Sequence, residues 1–262
     1  MTVTIINDCR DDNAAARQTT RASALFDCQV SFVGVKSDIE ASGNIIDTLD
    51  ALNVGEGVIL VNVAPRNGAA KKWENGTPFG YFKYRNALIV SSVDGYTLSL
   101  VKKFGLTDSI GVFDIPTVLD IAVSEGRLES RVRDHVVRGQ FRSFDFVPRV
   151  AHYMMTGMQV PTTPLLISEI PDAPQGVVWW VDSFGNCKTT MWASELTGSV
   201  GENIVTAVGD IKRYARLKDV GDAEPAIIEG SSGLNDQRFV ELVVQGGSAA
   251  DRFKLSSGQS IF

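Results

Sequence analysis

The chain has 262 residues, of which 44% are hydrophobic and 21% charged, with a formal net charge of -6. That length buries a core of one large domain or two smaller ones. The acidic balance, with no clustered block of Lys and Arg, argues against a nucleic-acid partner, because neutralising phosphates needs a basic face.

Nowhere do 18 apolar residues run together, and the opening MTVTIINDC holds neither a basic leader nor a long apolar core. No membrane association is expected, and the predicted location is cytoplasmic. Cys9, Cys28 and Cys187 are odd in number and far apart, and His135 and His152 are the only histidines. Neither a disulfide framework nor a metal site is predicted from such a set.

Residues 2–7 read as a short buried strand that ends at Asp8. In an open α/β sheet, side chains just past a strand's carboxyl end face the ligand crevice. Asp8 is therefore either a group for a hydroxyl pair such as a ribose, or it or a neighbour caps the next helix. Residues 13–26 are Ala-rich without Gly or Pro and predict that helix. A strand over 29–35 follows. Ile45, Ile46, Leu49 and Leu52 then repeat at helical spacing over 41–52, ended by Gly55-Glu56-Gly57.

The apolar stretch 57–63 predicts a further strand, left through Ala64-Pro65-Arg66-Asn67-Gly68. Strands entered from helices and left through Pro/Gly turns predict a sheet with mostly parallel strands and helices on its faces. The aromatic and charged segment 71–85 reads as a hairpin or insertion, 86–90 as a buried strand, and 96–104 as a helix. Residues 115–138 are mixed and charged and point to no chemistry. An amphipathic helix is predicted from Gln140 through Tyr153, breaking at Gly157, with His152 on it as a packing residue.

Pro161, Pro164, Pro171 and Pro174 mark 158–174 as a linker between domains. Beyond it come short strands over 177–181, 188–192, 204–208, 211–217, 226–229 and 239–244, a pattern for a small barrel or sandwich. The predicted organisation is an α/β amino-terminal domain over 1–157, the linker, and a smaller all-β, barrel-like domain over 175–262. The strand 177–181 runs into Asp182-Ser183-Phe184-Gly185-Asn186. A carboxylate, an aromatic face and a carboxamide within five residues suit a pocket for a flat polar heterocycle. The plainer reading is a hairpin turn, since Gly and Asn are default turn residues.

These pieces, in order along most of the chain, resemble the S-adenosylmethionine-cleaving family that includes hydroxide adenosyltransferases, fluorinases and chlorinases. Asp182-Ser183-Phe184-Gly185-Asn186 with Thr189 is similar to the family's Asp-x-Phe-Gly-Asn-x-x-Thr-Asn element. Ser231-Ser232-Gly233 and the segment from Val240 to Ala250 resemble its closing Asn-Ser-x-Gly and Leu-x-Ile-Ala-x-Asn-x-Gly-x-Ala-Ala pattern. Asp38-Ile39-Glu40-Ala41 is similar to its Asp-Ile-Glu-Ala helix start, and the turns at Ala64 to Gly68 and Ser91 to Gly95 to its Asp-Pro-Gly-Val-Gly and Ala-Pro-Asp-Asn-Gly turns. Phe141-Arg142-Ser143 stands where the family has Thr-Phe-His-Gly or Thr-Phe-Tyr-Ser.

The resemblance implies an α/β domain followed by a β-barrel, no cofactor, S-adenosylmethionine as the nucleoside substrate, and a homotrimer with sites between subunits. It implies that Asp8 holds the ribose hydroxyls, that Phe184, Asn186 and the backbone near Gly247 meet the adenine, that Asp182 faces the methionine ammonium, and that Ser231 lies near the methionine end. The family's ribose motif Asp-Phe-Gly-x-x-Asp reads Asp8-Cys9-Arg10-Asp11-Asp12-Asn13 here, so Asp11 or Asp12 stands in for its second carboxylate.

The reacting positions depart from the pattern. Where hydrolases of the family have Asp, Arg and His, this chain has Ala64, Lys71 and Arg142. Where halogenases have Tyr, Thr and Ser, it has Ala64, Asn67 and Ser143, with Phe141 also kept. Three functions follow: hydrolysis of S-adenosylmethionine at C5′ with Arg142, Ser143, Lys71 and Asn67 around the nucleophile, a halide-dependent transfer, or a non-catalytic adenosine-binding trimer.

Overall fold

The computed structural model describes residues 1–64, 77–139 and 141–262. They form two compact units, Met1–Pro171 and Asp172–Phe262.

The amino-terminal unit begins β1 (Thr2–Asn7), α1 (Asp12–Phe26), β2 (Val30–Gly34), α2 (Asp38–Leu52) and β3 (Gly57–Asn62). It continues β4 (Phe79–Tyr84), β5 (Ala87–Ser92), α3 (Ser99–Lys103), β6 (Ser109–Phe113), α4 (Ile115–Ser124), α5 (Ser130–Arg138), α6 (Arg142–Asp145), α7 (Val147–Met155) and β7 (Thr162–Leu166). Its sheet has the order β2-β1-β3-β5-β4-β6-β7. The first four strands of that order run parallel, and β4, β6 and β7 extend the sheet antiparallel.

Alternation along the central strands fills both faces. Val3, Ile5, Val58, Leu60, Leu88 and Val90 share a core with Ala22, Phe26, Val118, Val136 and Val150 of the helices. Ile6, Ile59, Val61 and Ile89, at the intervening positions, are also buried, as are Ile39, Ile45, Ile46 and Leu49 of α2. Burial on both faces is why these strands read as continuous apolar runs.

The helix starts are chemically marked. Asp11 caps α1 by accepting from the Ala14 amide at 3.0 Å, and Ser37 caps α2 through the Glu40 amide at 3.3 Å. With that cap, α2 begins three residues before the predicted 41.

Elsewhere the elements differ from the sequence reading. The helix expected from 140 to 153 is two helices that meet at Phe146, because Pro148 fits only a first helical turn and starts α7 afresh. The charged stretch 115–138 holds α4 and α5. Of the helix expected over 96–104 only Ser99–Lys103 forms. Within the proline-rich segment, Thr162–Leu166 pairs with β6 as an edge strand, where Pro164 needs no ladder hydrogen bond on its outer side.

In the second unit, β8 (Val178–Val181), β9 (Cys187–Trp192), β10 (Asn203–Thr206), β11 (Gly209–Lys212), β12 (Pro225–Leu234) and β13 (Gln237–Val244) precede α8 (Ala249–Phe253). One antiparallel sheet has the order β12-β13-β9-β8, and β10 pairs with β11. A bridge from Arg213 to Ile227 joins the hairpin to β12. Val178, Cys187, Met191, Ile211, Ile227, Val240, Leu242 and Ile261 fill the core of this all-β unit.

Candidate functional site

The strand order reverses at β1, which takes β2 on one side and β3 on the other. Such a switch point opens a ligand crevice past the strands' carboxyl ends. Asp8 stands there, 9% exposed. Its amide donates to the Asn62 carbonyl at 3.2 Å, and its Oδ2 accepts from the Ala64 amide at 3.1 Å. The helix cap falls to Asp11, so Asp8 is not the capping group, and Asp12 is exposed in the first turn of α1.

A buried carboxamide pair stiffens the loop beneath Asp8. Asn7 Nδ2 donates to Gln18 Oε1 at 2.6 Å, Asn7 Oδ1 accepts from the Cys9 amide at 2.8 Å, and Gln18 Nε2 reaches the Cys9 carbonyl at 3.3 Å. Sequence reasoning missed this pair. The signal was a carboxamide closing an apolar strand, with a Gln on the otherwise small-residue buried face of α1.

Beside Ala64 lies a cavity of about 210 Å³ lined by Lys36, Ser37, Asp38, Val63, Ala64, Asp94 and Gly95. Pockets that enclose a whole drug-sized ligand run to roughly 300–1,000 Å³, so this one has room for only part of such a ligand. Asp38 shapes its rim, with Oδ2 accepting from the Tyr96 amide at 2.8 Å. Gly95, at φ +62°, leaves room for that carboxylate where a Cβ would overlap it.

The helix α6 lies against β3 and α1 and carries Arg142 and Ser143. Burial lowers the Arg142 pKa. Arg142 Nε and Ser143 Oγ are buried without a hydrogen-bond partner among the described residues. Phe141 stacks on Phe144 at 5.6 Å, with Arg17 over its face. Asn67 and Lys71 lie outside the described residues.

In the second unit the predicted turn binds itself together. Asp182 Oδ1 accepts from the Phe184 and Asn186 amides, each at 2.9 Å, and Oδ2 accepts from Asn186 Nδ2 at 3.0 Å. The hairpin reading is thus correct as local structure, and it also aims the side chains. Phe184 is 77% exposed, its ring unclaimed by the core. Gly185, at φ +82°, sits against Ser248, which caps α8, and its carbonyl accepts from the Ala250 amide at 2.9 Å. That contact brings the turn at Gly247, whose amide donates to the Val244 carbonyl at 3.1 Å, beside Asp182 to Asn186.

Ser231 occupies an irregular stretch of β12, where the register with β13 shifts between Glu229 and Gly233. It is exposed, and its carbonyl accepts from Arg238. Lys188 was not anticipated. Two residues past Asn186, its Nζ donates to Ser232 Oγ at 2.5 Å and so ties the turn's outgoing strand to that stretch of β12.

Residues 176–262 match the family model described as SAM hydroxide adenosyltransferase C-terminal domain. No curated protein matches the chain. Among solved structures, the chain is similar to an uncharacterized conserved protein from Thermotoga maritima, at 16% identity and TM-score 0.70, with 100% of each chain covered. It is also similar to a conserved hypothetical protein from Thermus thermophilus, at 16% identity and TM-score 0.60, covering 100% of this chain and 99% of that one. At such identities the two structures establish the fold. Among the described residues, no helix is long and apolar enough to cross a membrane.

Proposed function

We propose that this chain, whose residues 176–262 match the model described as SAM hydroxide adenosyltransferase C-terminal domain, cleaves S-adenosylmethionine by displacement at the ribose C5′ carbon, water giving adenosine and methionine. The observation that carries this reading is the Asp182 to Asn186 turn held against the Gly247 and Ser248 turn by Gly185. The pair presents an aromatic ring, a fixed carboxamide and a carboxylate together.

In this reading Phe184 stacks on the adenine, and Asn186 with the backbone at Gly247 pairs with its edge. Asp182 offsets the methionine ammonium, Ser231 lies near the methionine end, and Asp8 accepts from the ribose hydroxyls, with Asp12 following in the first turn of α1. A water oxygen attacks C5′ as the C5′–S bond breaks. The bonding pair passes to sulfur, which leaves as the neutral thioether of methionine, and the water's proton goes to solvent. The sulfonium is already a good leaving group, so the protein's task is to aim and desolvate the nucleophile.

Ala64 has no group that takes a proton. Arg142 and Ser143 supply buried donors for the nucleophile instead, and the guanidinium charge favours hydroxide over water. The resemblance assigns Phe141 to the same position, and also Lys71 and Asn67, which lie outside the described residues. We further propose a homotrimer, cytoplasmic in location, with nucleoside sites shared between copies.

One observation favours a second reading. Two buried donors without an acceptor, Arg142 Nε and Ser143 Oγ, also suit a halide. The deciding experiment is mass spectrometry of products after incubation with S-adenosylmethionine, with and without chloride. Adenosine and methionine in both samples support hydrolysis. A chlorinated nucleoside appearing only with chloride supports the second reading, and no turnover with retained adenosine binding leaves a nucleoside-binding protein.

A further inference from the structure

The stretch of β12 that carries Ser231 does not pair regularly. Glu229 stands opposite Val240 and Gly233 opposite Arg238, so Gly230, Ser231 and Ser232 together oppose Phe239 alone. Surplus residues break the ladder of a strand, and the direction of their side chains is then set by whatever else holds them. Two charged side chains reach this bulge from the neighbouring strands. Lys188 Nζ donates to Ser232 Oγ at 2.5 Å. The Glu241 carboxylate lies over Gly230, where a Cβ would overlap it.

Both side chains are themselves held in place. Lys188 and Glu241 are opposed in the register of β9 with β13, so their opposite charges share one face of the sheet. Glu241 is buried. Lys188 Nζ stands 5.5 Å from the ring centre of the fully buried Trp179, which packs on Phe239 at 5.7 Å. Because Cys187 fills the core, the period of two puts Asn186 and Lys188 together on the other face of the strand. One strand thus continues from the carboxamide of the Asp182 turn to the ammonium that grips the bulge.

We propose that Lys188 and Glu241 are positioning residues that set specificity for the amino-acid end of the substrate, by fixing the bulge with Ser231 and Ser232 relative to Asp182. This role rests on the reading that the site takes S-adenosylmethionine, with Asp182 at the ammonium and Ser231 near the methionine end. An amino-acid zwitterion needs acceptors for its ammonium and donors for its carboxylate at a fixed spacing. Asp182 supplies the acceptor, and the serine hydroxyls supply donors at the right distance only while the bulge is tied to β9. The turn that presents Phe184 and Asn186 to the nucleoside closes on its own hydrogen bonds and does not depend on that tie.

The test is calorimetric titration of the whole chain with S-adenosylhomocysteine and with 5′-methylthioadenosine. These neutral thioethers share the nucleoside, lack the sulfonium leaving group and differ in the amino-acid portion. Wild type is expected to prefer S-adenosylhomocysteine. Lys188→Met lowers the affinity for it about tenfold and leaves that for methylthioadenosine within about twofold, and Lys188→Arg restores most of the preference. Gly230→Ala, which drives the Glu241 carboxylate off the bulge, shifts the preference the same way. In the protein without ligand, amide hydrogen exchange over 229–233 is faster in Lys188→Met than in wild type, with β8 unchanged. Equal weakening of both ligands in Lys188→Met overturns the proposal, since it marks a merely structural residue, and so does unchanged exchange over the bulge. Equal affinity of wild type for the two ligands also overturns it. Wild type that binds neither ligand refutes the nucleoside reading and the specificity role with it. That failure is told apart from the others because the exchange measurement, which needs no ligand, still reports whether Lys188 ties the bulge.

Discussion

The contact between Gly185 and Ser248 joins the two turns on which the nucleoside reading rests, and Gly185→Ala tests it. At φ +82° an alanine is held in a left-handed conformation, which costs about 1–2 kcal/mol. A Cβ there stands 2.9 Å from the Ser248 Cα, so backbone has to move, an overpacking cost of about 1–3 kcal/mol. If the turns separate, the hydrogen bond from the Ala250 amide to the Gly185 carbonyl is lost, about 1 kcal/mol more. The expected loss is about 3–6 kcal/mol, a large part of the roughly 5–15 kcal/mol that holds a domain folded. Urea unfolding followed by the fluorescence of Trp179 and Trp180 in β8 reads it directly. With a slope of about 1–3 kcal/mol per molar urea, the midpoint falls by at least about 1 M. A loss under about 1 kcal/mol with unchanged adenosine affinity refutes the claim that this contact locks the turns together.

The remaining expectations separate binding from folding. Phe184→Ala leaves the unfolding midpoint within error, because its ring is 77% exposed, yet weakens adenosine binding about tenfold in a calorimetric titration. Asp8→Asn keeps the fold and lowers affinity for adenosine more than for 2′-deoxyadenosine or adenine, since it removes the charge that strengthens hydroxyl contacts. Burial, with Asp182 and Glu241 nearby, pushes the Cys187 thiol up to about 12. The folded protein therefore holds this proton where the unfolded chain, near pH 9, releases it. Stability falls as pH rises from about 9 towards 12, by up to about 1.4 kcal/mol per unit from this group, and below about pH 8 the group is neutral in its effect. An alkylating reagent at about pH 8 should accordingly modify Cys28 and spare Cys187 until the protein unfolds, as peptide mass mapping would show.

Much of the fold follows from local pattern. The apolar runs at β1, β3 and β5, the Ala-rich α1 and the short-strand spacing past residue 175 each carry their structure in their own periodicity, because burial on two faces or one leaves a continuous or alternating run. The turn from Asp182 to Asn186 was legible for the same reason, since its hydrogen bonds close within five residues. Pro148, too, marked the break between α6 and α7, although a longer amphipathic period ran across it.

Tertiary structure decided what depends on residues far apart in sequence. Ala64 reads as a lost catalytic position, yet its amide anchors Asp8 from 56 residues away. Lys188 gave no local signal, because its partner Ser232 is 44 residues on and a hydrogen bond across strands leaves no period. The edge strand at 162–166 was hidden by its prolines, which propensity counts against a strand and an outer edge tolerates. The buried donors Arg142 Nε and Ser143 Oγ are left without partners only once α6 packs on β3, since burial and the absence of an acceptor are properties of packing. Local sequence thus determined which segments become helix, strand and turn, where hydrogen bonds close over a few residues. Packing alone determined which polar groups meet or are left wanting, because that is set by distances between elements the chain order does not encode.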